Sequence, residues 1–453
     1  MPVGDLDAEL ASRLHALLEA EIAAIVDDWQ AKRPWFVSSD NAVTNQWVLP
    51  TEGLVRACLL VGREGHRDAY ELGVRNLLRA LDAHGAQGEF EEGFGYAGFT
   101  VTSLAHAAFA MAIQGDRRAI DHPFLKHFPT WYIHHLQPGN MVINCFDAGG
   151  AYDKAATMRP LLSLLAVCTA DPTCLWGLEQ VGGPSDDLAG LAARGIPPDA
   201  PRTAPPRFAQ YERATRVNWR SGWQDNASGV WVRGGHPLDQ HDHQDRGHVN
   251  FILHGRPVFI EAGTPAYHHP RMMTQYTPGV GHNVLQIGTA MPEGQANAGE
   301  DVWLTGWQKR GGIAPITVKR LDEAGGEVIL DASACYDGLD RWTRNVDWQE
   351  DGIRVTDRVA LAAGTDNIIL FRWHLGTESP VSISGEGTGW VTDCSCARIH
   401  IEADRSIVVT QIAMPDHTLA GHTGEDLPAN THTCLVVQSA GREPALALTT
   451  TVE

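Results

Sequence analysis

The apolar positions of this chain change period near residue 175, and the change divides it into two kinds of structure. Before that point they recur every three to four residues, the spacing that turns one face of a helix toward a core. "MPVGDLDAELASRLHALLEAEIAAIVDDW" puts Leu10, Leu14, Leu17, Leu18, Ile22 and Ile25 on one side of a helix. "TEGLVRACLLVGREG", "RDAYELGVRNLLRALDAHG" and "YAGFTVTSLAHAAFAMAIQG" repeat the pattern, each ending near a glycine as helices commonly do. The short joints between them predict antiparallel helical hairpins. From Gly177 to Pro206 large apolar residues thin out among Gly, Pro and Ala, which reads as a linker.

Beyond the linker the period falls to two. "GVWVRGG", "HVNFILHGRPVFIEAG", "HNVLQIG", "PITVKRL", "GIRVTDRVALA", "NIILFRWHL", "ARIHIEA", "SIVVTQIA" and "THTCLVVQ" read as strands separated by turn residues. So many strands with so few helices predict a large antiparallel sandwich. The expected organisation is α+β and multidomain: a helical domain over 1–176, a linker over 177–206 and a β-sandwich over 207–453.

Composition sharpens this picture in three places. At 453 residues the chain is too long for one ordinary core, so two domains are expected. The sequence carries no run of 18 or more apolar residues and no basic start ahead of a short apolar core, so neither a membrane span nor a secretory signal is expected. Localisation is therefore expected to be cytoplasmic, or periplasmic or secreted if a leader has been removed. The eight cysteines are scattered, with only Cys394 and Cys396 close together, and read as buried thiols. A net charge of −20 argues against a nucleic-acid partner. It leaves an acidic ligand open, because a local His and Arg pocket can be positive on an acidic protein.

The chemistry concentrates in "HPLDQHDHQDRGHVNFILHGRPVFIEAG", His236 to Gly263. On an extended chain His241 and His243 point the same way, with Asp245 next on that face. A hairpin turning at Gly255-Arg256-Pro257 would bring Glu261 back to the level of the histidines, and the loop after it delivers His282 and Asn283. Two imidazoles and a carboxylate converging make a three-ligand zinc set. The plainer alternative has His243 bonding a neighbouring strand and Glu261 solvated at an edge. His248 and His254 alternate with the apolar strand positions and are expected to face solvent.

The same stretch, continued to "GTPAYHHPRMMTQYTPGVGHNVLQIG", resembles the core signature of the heparinase II/III-like polysaccharide lyases. That signature is an HxHxD, a strand pair, an acidic residue before xGT, a Tyr, and a later HN leading into a strand. "VNWRSGW", "RNVDWQEDGIRVTDRV" and "LFRWHL" resemble flanking parts of its sheet. In the helical half, "TNQW", "EEGFGYAGF" and "FDAGG" resemble segments of the family's α/α toroid. The resemblance runs from about residue 40 to about residue 380. Two departures stand out: Glu261 where the family usually has Asp, and few helices ahead of Thr44. The second implies a partial toroid or a piece of a longer chain, and leaves a homodimer open.

The resemblance implies β-elimination at a uronic acid, with an acidic polysaccharide or oligosaccharide as partner. Asn45 and His241 would hold the uronate carboxylate, and Tyr96 would be the base and also the acid. His243, Glu261 and His282 would hold Zn2+, with Ca2+ or no metal as alternatives, and Asp245 would orient an imidazole. Trp47, Tyr267, Arg271 and Tyr276 would contact substrate. A tyrosine of ordinary pKa, about 10, is a poor base at neutral pH unless positive charge lies nearby.

Each of these residues also has an ordinary structural use. Tyr96 fits a helical core, Asn45 fits a helix N-cap, and His134-His135 fits a helix C-terminus complementing the dipole. Two other functions stay open on the same architecture. A glycoside hydrolase would need opposed carboxylates, with Glu91 and Glu92, or Glu52 and Asp147, as candidates. A non-catalytic carbohydrate-binding protein would need neither. Glycosaminoglycan and alginate both offer a 4-linked uronate, and Arg246, Arg256 and Arg271 are the arginines that a sulfated polymer would use.

Overall fold

A computed structural model describes residues 7–148, 155–213, 215–237, 239–265, 267–269, 271–288, 308–309, 311–394, 397–415 and 431–453. Cys396 and the two glycines of "FDAGG" lie outside them. The chain forms two compact units. One comprises Met1–Glu91, Tyr96–Tyr132 and Thr157–Ala204; the other comprises Glu92–Gly95, Ile133–Ala156 and Pro205–Glu453.

The first unit is helical. It holds α1 (Ala8–Gln30), α2 (Trp35–Ser38), α3 (Asn45–Val61), α4 (Arg67–His84), most of α5 (Gly93–Ile113), α6 (Pro123–Ile133), α7 (Arg159–Thr169), α8 (Pro172–Gln180) and α9 (Leu188–Ala193). Helices α3 and α4 form a hairpin that buries Leu54, Val55 and Cys58 against Val74, Leu77 and Leu81, and α1 packs on α3. The stripe expected on α1 is buried only toward its C-terminal end, at Ile22, whereas Leu10, Leu14 and Leu17 remain exposed. The stretch read as a linker carries the end of α8 and all of α9, both packed on α7. Asp171 and Asp187 cap these two helices with their carboxylates. Helix α5 is long and apolar enough to cross a membrane by length and composition, and half of it is buried inside the fold.

The second unit is built on antiparallel sheets. It opens with a ribbon of β1 (Leu136–Gln137) and β2 (Met141–Val142). One layer contains β3 (Phe208–Tyr211), β4 (Arg216–Arg220), β5 (Gly229–Arg233), β6 (Val249–Leu253) and β7 (Arg256–Phe259), hydrogen-bonded in that order. After β8 (Leu285–Ile287), the opposite layer begins with β9 (Ile316–Asp322), β10 (Gly325–Asp331), β11 (Leu339–Gln349) and β12 (Gly352–Leu361). β13 (Ile369–His374) returns to the first layer. β14 (Ser382–Glu386), β15 (Gly389–Cys394) and β16 (Ala397–Ala403) extend the second. β17 (Ile407–Pro415) and β18 (Thr431–Ser439) join β13 and β8, and β19 (Ala445–Val452) sits between β16 and β12.

The β17-β18-β13-β8 sheet continues the β3–β7 sheet through a bridge between Phe259 and Leu375, where the Ile260 N–H donates to His374 O at 2.9 Å. One apolar core fills the space between the layers. It includes Trp219, Phe251, Trp342, Trp348, Phe371 and Trp373.

The hairpin of β6 and β7 turns at His254 and Gly255, not at Gly255-Arg256-Pro257, because Leu253 already pairs with Arg256. Both turn residues have positive φ (49° and 77°), as a two-residue hairpin turn of this hand requires. A histidine in the first of these positions hid the turn from the sequence pattern.

His134 follows α6 but does not serve its dipole. It is buried, its Nε2–H donates to Pro206 O (2.8 Å), and its Nδ1 faces the Tyr211 hydroxyl at 2.5 Å. Burial lowers its pKa to about 4, with only partial compensation from the Pro206 hydrogen bond. A depressed folded pKa favours the neutral form, so its contribution is complete above pH 6.5 and is lost as pH falls toward 4. Stability should fall by on the order of 3 kcal/mol over that window from this group alone. Urea melts at stepped pH check this, and His134→Gln should flatten the slope.

Candidate active site and metal centre

The His236–Gly263 stretch is anchored by buried charge before it does anything else. In the connection between β5 and β6, His241 has φ +54°, a left-handed turn conformation, so the histidines do not sit on one continuous extended strand. The expected common face holds for His241 and His243, which both face Asp147, but not for Asp245, which faces Arg233. The acidic residues of the stretch meet arginines instead. Arg233 donates to Asp245 (2.6 Å), Asp242 (2.7 Å) and Asp239 (3.1 Å), and Arg216 donates to Asp239 (3.1 Å). Arg246 donates to Asp242 (2.7 Å) and to two backbone carbonyls, at His243 and Gly312.

Two expectations are corrected here. Asp245 pairs with Arg233 and makes no hydrogen bond to an imidazole among the described residues; it acts on His282 and His243 only through its charge. Burial would raise its pKa, but Arg233 and its other cationic neighbours outweigh burial and hold it below the usual carboxylate range. Arg246 is fully buried and so cannot meet a sulfate, in contrast to the exposed Arg256.

His243, Glu261 and His282 do converge. All three are buried, and one ligand atom from each lies within 4.8 Å of the others. Glu261 follows β7 directly, and His282 follows a single turn, Gly279–Gly281, that leads into β8. Asn283 clamps the place where they meet. Its side-chain amide donates to Val249 O (3.0 Å) and Ile260 O (3.1 Å), and its Oδ1 accepts from the His374 N–H (2.7 Å).

The Asn283 backbone N–H donates to His248 Nδ1 (3.0 Å), leaving His248 Nε2 3.2 Å from Glu261 Oε2. His248 is thus fully buried rather than solvent-facing, because β6 is a central strand with both faces covered; His254, at the turn, is exposed. Burial would raise Glu261, but the charges of His248 and His282 dominate and lower it; burial would lower His282, but Glu261 dominates and raises it.

The donor set fits a divalent cation. Neither His243 Nδ1 nor His282 Nε2 has a hydrogen-bond partner among the described residues, though both are buried. Two imidazoles and one carboxylate are a nitrogen-rich set of the kind zinc takes.

A second cluster is built around Asp147, in the 145–148 segment of the same unit. Its Oδ1 is 3.1 Å from His243 Nε2, and its Oδ2 is 2.8 Å from His241 Nδ1. The Tyr267 hydroxyl donates to Oδ2 (2.9 Å) and lies 3.0 Å from His241 Nδ1. Glu92 Oε1 stands 3.8 Å from His241 Nε2. Burial would raise Asp147, but the hydrogen bonds from His241 and His243 outweigh it and push its pKa below the usual range.

Tyr267 is 60% exposed and the His241 side chain 24%, so imidazole and phenol reach solvent, with the largely covered Asp147 carboxylate bonded to both. Asp147 was visible in "FDAGG" but nothing in the pattern linked it to the histidines.

The remaining predicted residues divide. Thr44, not Asn45, caps α3, accepting the Trp47 N–H at 3.3 Å, and Asn45 is the half-buried first residue of the helix. Tyr96 is half-buried in the first turn of α5. Trp47 is core: 4% exposed, edge-on to Trp29, with its indole N–H donating to Asn76 O (3.0 Å). Tyr276 is buried against His269, while Arg271 is half-buried at the start of the Met272–Tyr276 turn. Trp47 and Tyr276 therefore present no face to a sugar.

A family model, Heparinase II/III-like, C-terminal, matches residues 219–446, which is half of the chain. The chain belongs to the heparinase II/III-like family. A solved heparinase III superposes with a TM-score of 0.68 at 13% identity, over 91% of this chain and 61% of its own. A heparan sulfate lyase from Pedobacter heparinus gives 0.63 at 12%, over 89% and 59%. A chondroitinase AC lyase gives 0.50 at 11%, over 89% and 60%. A comparison with curated proteins gives no match. This heparinase II/III-like chain spans about three fifths of the length of the structures it matches. Its fold is theirs: a partial α/α toroid of helical hairpins followed by a large antiparallel β-sandwich.

Within this heparinase II/III-like sandwich the exchange of Asp for Glu261 does not open the ligand cluster. The longer side chain reaches both neighbours, touching His282 Nδ1 with one oxygen and approaching His248 with the other. Of the carboxylates that a hydrolase would use, Glu92 and Asp147 lie beside His241, whereas their expected companions Glu91 and Glu52 are engaged elsewhere. Glu91 is buried against His84, and Glu52 accepts from Arg56 (2.6 Å).

Proposed function

We propose that this chain is a polysaccharide lyase that cleaves a uronic-acid-containing polysaccharide, a glycosaminoglycan or alginate, by β-elimination. The observation that carries the reading is the solvent-reaching His241–Tyr267 pair, backed by Asp147 and adjoining a buried metal-capable triad in a heparinase II/III-like sandwich. The matched structures are named as heparinase, heparan sulfate lyase and chondroitinase, which supports the same class.

The chemistry demands what these residues offer. Removing the C5 proton of a uronate places negative charge beside an existing carboxylate, so donors must neutralise that carboxylate first. Asn45 and His241 take that role. Tyr96, as phenolate, removes the C5 proton; the electron pair forms the C4–C5 double bond and expels the 4-linked oxygen. That oxygen collects the proton that Tyr96 holds, which restores the phenolate. A divalent cation on His243, Glu261 and His282 would supply fixed positive charge and rigidity beside His241. Metal-stripped protein should gain about 2.7 kcal/mol of stability with Zn2+ at a hundred times its Kd, and His282→Ala should abolish the gain in thermal melts.

The deciding assay incubates the protein with a panel of uronate polymers and follows ultraviolet absorbance and new reducing ends together. Both signals rising with one polymer would support elimination and identify the substrate class. Reducing ends without absorbance would mean hydrolysis. Neither signal would leave a binding protein.

A further inference from the structure

We propose that Asp147 is a positioning residue that fixes His243 with Nδ1 as its metal-binding nitrogen and ties that ligand to His241. The argument starts from what a carboxylate can do. It only accepts hydrogen bonds, so the imidazole nitrogens facing Asp147 must carry protons. His243 faces it with Nε2 at 3.1 Å, and His241 faces it with Nδ1 at 2.8 Å. A neutral His243 protonated at Nε2 has its lone pair on Nδ1. That atom is buried, has no hydrogen-bond partner among the described residues, and belongs to the residue that converges with Glu261 and His282. A carboxylate behind a ligating imidazole sets its tautomer and ring orientation and makes it a better ligand. Here the second oxygen of the same carboxylate holds His241, so one anion serves both imidazoles.

Asp147 is itself held in place. Phe146 precedes it with φ +63°, and its ring lies under the guanidinium groups of Arg233 (4.0 Å) and Arg216 (4.9 Å). On another side Gly93 comes so close that a Cβ there would sit 2.4 Å from the ring. The carboxylate therefore cannot slide along the loop to a different partner.

Asp147→Asn keeps the shape but turns one oxygen into a donor. Either orientation of the amide removes the anion that strengthens His243 as a ligand, and where the amide nitrogen faces His243, Nε2 must also accept and the proton moves to Nδ1, which can then no longer bind a cation. Competition with a chromophoric chelator should show Zn2+ affinity about 10–100-fold weaker in Asp147→Asn than in the unaltered chain. Nitrogen NMR of isotope-labelled histidines should place Zn2+ on Nδ1 of His243 in the unaltered chain. Equal affinities, no Zn2+ binding by the unaltered chain, or Zn2+ on Nε2 would each overturn the proposal. Should Asp147→Asn fail to fold, the nitrogen spectrum decides by itself. The inference rests on the lyase reading only for its consequence in turnover. The ultraviolet assay can fail while the metal measurements succeed, so the two are judged separately.

Discussion

Tyr96→Phe is expected to lower kcat by about 10²–10⁴-fold, the range lost when a positioned acid-base group is removed. The change deletes one oxygen and leaves the ring, so substrate contacts and helix packing persist. Tyr96 is half-buried in α5, and losing a single hydroxyl hydrogen bond there costs about 0.5–1.5 kcal/mol of stability. KM and the melting temperature should therefore move little while kcat collapses. The measurement is the initial rate of ultraviolet absorbance on the polymer that the panel identifies, beside a thermal melt of the same preparation. A variant retaining a tenth or more of the rate would remove Tyr96 from the chemistry and shift attention to Tyr267. A variant that melts much earlier would return Tyr96 to the ordinary role of a core tyrosine.

The strands and the convergence of His243, Glu261 and His282 were legible because both rest on local pattern. Period-two alternation marks strands, and a hairpin followed by a loop brings the three residues back together. What was illegible depends on partners distant in sequence. Asp147 lies on the far side of the change in period from His241, and no spacing rule connects them. Asp245 read as an orienting group for an imidazole, because its arginine partner on β5 is itself hidden within an apolar strand. His248 alternates as a solvent-facing residue would, yet β6 is covered on both faces, so alternation there carries no information about exposure. Helix α1 shows the converse: its leucine stripe is regular, but only its C-terminal end finds something to pack against.

The buried arginines lead to the largest expected loss of stability. Arg233→Ala should cost about 3–5 kcal/mol, the penalty for removing one side of a buried ion pair. Three carboxylates, Asp239, Asp242 and Asp245, lose a donor at once, and none can turn to water: Asp239 and Asp245 are fully buried and Asp242 nearly so. The Phe146 ring also loses the cation 4.0 Å above it, which loosens the anchor of Asp147. Restoring size without charge, as in Arg233→Met, should recover little, since the carboxylates stay uncompensated. The deficit should depend on pH in a direction that follows from the charges. Asp245 is held below the usual carboxylate range in large part by Arg233, so removing the arginine raises it and lets it protonate at milder acidity. The gap between variant and unaltered protein should therefore be widest near neutral pH and narrow as acid neutralises the three aspartates. Urea unfolding at pH 7 and again at pH 4 measures both gaps. A gap that does not narrow would mean that the arginine matters for its bulk, and that the acidic residues beside the histidines are not held by charge.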